Sequence, residues 1–132
     1  MDALRFSAVL LILAVACFTT VSAGTCDKAK DEGTGNLHLT RHYFDSTTRT
    51  CETFIYKGSG VDDPFPNRFN TQPECENVCK CKLRKDPGTG ESPRTRWYHN
   101  SDGSGCQQFQ YLGRGGNANN FLSQSDCINE CQ

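Results

Sequence analysis

The chain carries one hydrophobic–polar pattern twice. Cys51-Glu52-Thr53-Phe54-Ile55-Tyr56 and Cys106-Gln107-Gln108-Phe109-Gln110-Tyr111 each open on a cysteine and run through aromatic and β-prone residues, which reads as a strand. The second copy alternates: Gln107, Phe109 and Tyr111 fall on one face, Gln108 and Gln110 on the other, the period of a pleated strand. Ahead of each lies a second strand-like run, Arg41 to Phe44 and Arg96 to His99. Polar turns, Asp45-Ser46-Thr47-Thr48 and Asn100-Ser101-Asp102-Gly103, separate the runs, so each copy predicts an antiparallel hairpin. Downstream, Thr71-x-x-Glu74 and Ser123-x-x-Asp126 have the form of helix N-caps with an acid in the first turn. Cys75 and Cys79, like Cys127 and Cys131, are four apart and share one face of the short helix predicted there.

The repeat extends beyond these runs. A shift of 55 takes Cys26 to Cys81, Gly33-Thr34-Gly35 to Gly88-Thr89-Gly90, Arg41 to Arg96 and Gly58 to Gly113. From Asn67 onward the shift is 52, taking Asn67 to Asn119, Phe69 to Phe121 and Cys79 to Cys131. Matches at constant spacing define an internal repeat. The difference falls in Val61-Asp62-Asp63-Pro64-Phe65-Pro66, an acidic, partly apolar stretch that reads as a tolerated surface insertion. Lys80 alone links the two units, 24–79 and 80–132, which predicts a restricted relative orientation.

Charge changes this picture little. The 132 residues carry 14 basic and 15 acidic side chains, which excludes a general attraction to nucleic acid or anionic membrane. Within that balance, residues 24–79 hold six basic and nine acidic groups, and 80–132 hold seven and five. The N-terminus says more. Arg5, an apolar run from Phe6 to Phe18 and small residues at Val21-Ser22-Ala23 read as a secretory signal over residues 1–23. The run is shorter than the ~20 residues of a spanning helix, so membrane insertion is not expected and the chain reads as secreted and extracellular.

Removing Cys17 with that leader leaves eight cysteines, an even number in a secreted chain and hence a disulfide framework. Four per unit allow three pairings; neighbours four apart on a helix are poorly placed to bridge, and two pairings remain. Units this small lack a large core, so the bridges must contribute heavily. One closing ~50 residues is worth about 4 kcal/mol in the chain-entropy model, one closing ~25 about 3.5. No cysteine–histidine spacing resembles a zinc site, and no metal or cofactor is expected. His38, His42 and His99 read as strand or loop surface residues rather than catalytic groups, so no enzymatic activity is expected.

These residues carry a family resemblance. The 25-residue step from Cys26 to Cys51 and from Cys81 to Cys106, the Arg-aromatic strand starts, Cys-x-x-Phe-x-Tyr, Asn-x-Phe and the closing Cys-x-x-x-Cys make each unit similar to a Kunitz domain of the pancreatic-trypsin-inhibitor type. The resemblance covers almost all of residues 24–132. It implies a small disulfide-rich α+β fold: two domains, each a twisted antiparallel hairpin with a C-terminal helix. It also implies the bridges Cys26–Cys79, Cys51–Cys75, Cys81–Cys131 and Cys106–Cys127.

Two departures bear on function. The family's third bridge, which ties the protease-binding loop to the end of the second strand, has no cysteines here: its positions are Gly35 with Ser59, and Gly90 with Arg114. By the resemblance the reactive-loop residues are Asn36, Leu37, Glu91 and Ser92, and the specificity positions hold Asn36 and Glu91 in place of Lys or Arg. Against the acid at the base of a trypsin-like pocket, Glu91 is repelled and Asn36 leaves that acid unpaired. A loop without its bridge is expected to be looser, with an ordering cost on binding, and free to slip by one residue so as to present Leu37.

Tandem units, a secretory leader and Gly-x-Gly in the loop make the chain similar to ixolaris-type anticoagulants of tick saliva. That resemblance implies a monomeric inhibitor-family protein directed at a clotting-factor-class extracellular serine protease by exosite or non-standard loop contacts. Ion-channel modulation without protease inhibition is the alternative it carries. Lys82, Arg84, Lys85, Arg94 and Arg114, with Arg96, form a candidate basic patch for heparin or an acidic partner, weighed against an ordinary solvated face. Arg114-Gly115-Gly116 lacks the acid an integrin ligand needs.

Overall fold

A computed structural model describes residues 24–132. The leader expected over 1–23, and Cys17 with it, lies outside the described residues. Each unit contributes a hairpin and a helix: β1 (Leu39–Asp45), β2 (Thr50–Tyr56) and α1 (Gln72–Val78), then β3 (Arg94–Asn100), β4 (Gly105–Tyr111) and α2 (Gln124–Cys131). Between them Lys80–Lys82 form one 3-10 turn, so the linker is a helical turn. Both hairpins are antiparallel, with Phe44 opposite Cys51 in the first and His99 opposite Cys106 in the second. β1 and β3 begin earlier than the runs at Arg41 and Arg96, because Leu39 and Arg94 still find partners in Tyr56 and Tyr111.

Each helix starts where its cap was expected. Thr71 Oγ1 accepts the Glu74 amide at 3.2 Å and Ser123 Oγ accepts the Asp126 amide at 3.1 Å, which satisfies a donor the first turn leaves open. Glu74 also reaches back to the Asn70 amide at 3.0 Å. The four bridges are Cys26–Cys79, Cys51–Cys75, Cys81–Cys131 and Cys106–Cys127, the pattern the resemblance implied. They staple each helix to its own hairpin and to the start of its own unit.

Burial along β2 does not simply alternate. Cys51 and Phe54 are both buried although three residues apart, because both faces of the hairpin are covered. Phe44 and Cys51 pack with Cys26, Phe69 and Cys75 beneath α1. On the other face Phe54 meets Tyr43 edge-on at 5.6 Å, and the Lys30 ammonium lies over the Tyr43 ring at 5.2 Å. Tyr98, Phe109 and Lys85 repeat that arrangement in the second unit. The Asn-x-Phe segments return alongside the hairpins: Phe69 exchanges both main-chain bonds with His42, and Phe121 does so with Trp97.

His42 and His99 depart from the surface reading. Both are half-buried; His42 Nδ1 lies 3.0 Å from Gln72 Oε1, and His99 Nδ1 lies 2.8 Å from the Cys81 carbonyl. They fasten helix and linker to strands.

Candidate functional site

The two loops that carry Asn36 and Glu91 are held by main-chain bonds at the level where the third bridge is missing. In the first unit the amides of Thr34 and Gly35 donate to the Gly58 carbonyl at 2.9 and 3.1 Å. Leu37 donates to Lys57 at 2.8 Å, and Lys57 to Glu32 at 2.8 Å. In the second unit Thr89 and Arg114 exchange bonds of 2.8 and 2.9 Å, Ser92 donates to Leu112 at 3.2 Å and Leu112 to Pro87 at 2.9 Å. Backbone pairing thus joins the two segments of each loop at the level where the family has its third bridge.

Glycine makes that approach possible. A Cβ at Gly33 would stand 2.0 Å from the Gly58 oxygen, and one at Gly35 would stand 2.5 Å from the Lys57 oxygen. At Gly88 and Gly90 the obstacles are the Arg114 and Leu112 oxygens, at 2.1 and 2.6 Å. Such distances are far inside carbon–oxygen contact, so the Gly-x-Gly triplets are what let the two segments meet.

The same bonds set the register seen in this structure. The Leu37 amide is taken by Lys57, and its side chain leans over Gly58, where an added Cβ would lie 3.0 Å from Leu37 Cδ1. Asn36 and Leu37 both stand exposed on the first loop, Leu37 at 53%, and Glu91 and Ser92 are exposed on the second. Near the first loop the charges satisfy one another. Lys30 lies 2.9 Å from Glu32, and its ammonium holds the Glu32 carboxyl below the usual range.

The basic set is divided by the fold. Lys82 pairs with Asp27 of the first unit at 2.5 Å, which removes it from the surface patch. Lys85 lies 5.5 Å over Tyr98, and Arg96 lies 5.5 Å over Tyr111. Arg84, Arg94 and Arg114 are exposed and make no ion pair among the described residues. A groove of about 630 Å³ runs between the units, lined by Asn77, Lys80, His99, Asn100 and Gln132 among others, and neither loop borders it. Among the described residues no cluster of His, Cys, Asp and Glu could hold a metal, and no helix is long and apolar enough to cross a membrane.

Paired backbone loops on disulfide-stapled hairpin-and-helix units define one scaffold in duplicate. The chain belongs to the Kunitz/bovine pancreatic trypsin inhibitor domain family, whose profile matches residues 25–80 and 80–132. It is similar to a BPTI/Kunitz domain-containing protein of Haliotis asinina, 35% identical over 81% of this chain and 86% of that one. Tissue factor pathway inhibitor of Rattus norvegicus is 30% identical over 81% of this chain, which spans only 41% of that longer protein. Among solved structures, that of ixolaris matches with a TM-score of 0.50 at 28% identity, covering 83% of this chain and 96% of ixolaris. That structure concerns the interaction of ixolaris with factor X and a noncanonical mechanism of Kunitz inhibition.

Proposed function

We propose that this protein is a secreted, non-enzymatic anticoagulant that binds a clotting-factor-class serine protease outside the protease's primary specificity pocket. In this reading residues 1–23 are a cleaved leader, the units run 24–79 and 80–132, and the molecule acts as a monomer. The observation that carries it is the pairing of two intact loops with Asn36 and Glu91 at their tips. The loops keep a defined shape, yet neither residue offers the cation that a trypsin-like pocket selects. Binding energy must then come from other surfaces, as the noncanonical mechanism described for ixolaris also supports.

The test is a plasma clotting-time assay of the refolded secreted chain beside a panel of purified clotting and digestive proteases. Prolonged clotting, with the proteases still cleaving small chromogenic substrates, is the expected result. Normal clotting with no protease bound or inhibited overturns the reading and moves the enquiry to ion channels.

A further inference from the structure

The crossing from Gly58 to Asn67 is three residues longer than its counterpart from Gly113 to Asn119, and the extra length falls within Val61 to Pro66. The fold therefore closes with the shorter crossing, and the insertion is not needed for it. Even so, the insertion is braced into one shape. The Asp31 carboxylate takes the Arg68 guanidinium and, at 3.2 Å, the Val61 amide, while the Gly60 amide donates to the Tyr56 hydroxyl at 3.0 Å. Asp63 accepts the Phe65 amide at 2.9 Å and the Lys28 ammonium at 2.7 Å. Lys28 donates as well to the Phe65 carbonyl at 2.9 Å, and the Thr25 hydroxyl joins it at 3.2 Å.

What this bracing holds up is apolar. Val61 is 64% exposed and Phe65 48%. Asp62 stands exposed beside them and makes no hydrogen bond or ion pair among the described residues. Asp63 is committed to Lys28, so Asp62 is the carboxylate left for a partner.

We propose that the insertion is a preformed docking element that seats Phe65 and Val61 in an apolar pocket rimmed by basic side chains on the target protease. This rests on the protease-binding reading above and names the surface through which it works. Covering two large apolar side chains supplies the attraction. The bracing means little ordering is left to be lost on binding. Unpaired Asp62, on a unit with nine acidic and six basic groups, selects a positive rim.

Surface plasmon resonance of the secreted chain on immobilised factor X, and on active-site-blocked factor Xa and thrombin, tests the proposal. Wild type runs beside Val61→Ser/Phe65→Ser and Asp62→Lys, all exposed positions whose replacement leaves the core intact. The double variant is expected to bind about tenfold or more weakly, chiefly by faster dissociation. Asp62→Lys is expected to slow association and flatten its salt dependence. Wild-type binding with both variants unchanged overturns the docking role alone. Wild type binding none of the three overturns it together with the protease reading.

Discussion

Asn67 and Asn119 each satisfy three backbone groups in a place water does not reach. They are 1% and 0% exposed. Asn67 Oδ1 accepts the Phe44 amide at 2.9 Å, and its Nδ2 donates to the Phe44 and Lys28 carbonyls at 2.9 and 2.8 Å. Asn119 does the same with His99 and Leu83. Asn67→Ala leaves those groups buried and bare, at a cost of about 3 kcal/mol or more. Asn67→Asp should be no milder, because it buries a carboxylate against the Phe44 and Lys28 carbonyls to which it can no longer donate. A denaturant midpoint unmoved in both variants would show that these bonds are not what holds the returning segment. Asp63 supports a second residue-scale prediction. The Lys28 ammonium and the Phe65 amide hold its carboxyl below the ordinary value of 3.8. The folded state thus favours the charged form, so the brace is fully present at neutral pH and is lost as pH falls through the lowered value. Carbon-detected NMR should place the Asp63 midpoint below 3.8, with the Phe65 amide shift following it; a midpoint at or above 3.8 would mean the brace is open in solution.

At the scale of elements, hairpins, helix caps and bridges were legible in the sequence because each follows a local rule written twice. The loops were not. Gly35 reads as a lost cysteine, and only the distance to the Lys57 oxygen shows that the missing Cβ is the condition for backbone pairing. The Phe69 and Phe121 pairings escape for a similar reason, since one-residue bridges have no periodicity. The loop geometry makes a specific prediction. Restoring the family's bridge with Gly35→Cys/Ser59→Cys should not tighten the loop. A Cβ at 35 would stand 2.5 Å from the Lys57 oxygen, a backbone atom that cannot swing aside. The segments must part to accommodate it, breaking the bonds to Gly58. A double variant that oxidises fully and unfolds at a higher temperature than wild type would contradict this account.

The whole molecule is governed by the positions where the repeat disagrees with itself. Leu83 is 1% exposed and packs into the first unit's core, whereas its repeat partner Lys28 lies exposed. Asp27 and Lys82 occupy matching positions and pair with each other across the units. Arg49, matched by Ser104, reaches over as well: its Nε donates to the Lys82 carbonyl at 3.1 Å, and its own carbonyl accepts the Arg84 amide at 3.0 Å. Aligning the halves keeps the agreements and discards these differences, so the contacts between the units were not legible. The exposed Lys82–Asp27 pair contributes little by itself; buried Leu83 and the Arg49 bonds carry the contact. Giving position 83 the residue its partner has, in Arg49→Ala/Leu83→Lys, should release the units without unfolding either, since all four bridges lie within units. Residual dipolar couplings should then need two alignment tensors where wild type needs one. If both units contact one protease, the lost preorganisation should weaken binding as well. A single shared tensor in the variant would place the rigidity in the 3-10 turn at Lys80–Lys82 instead.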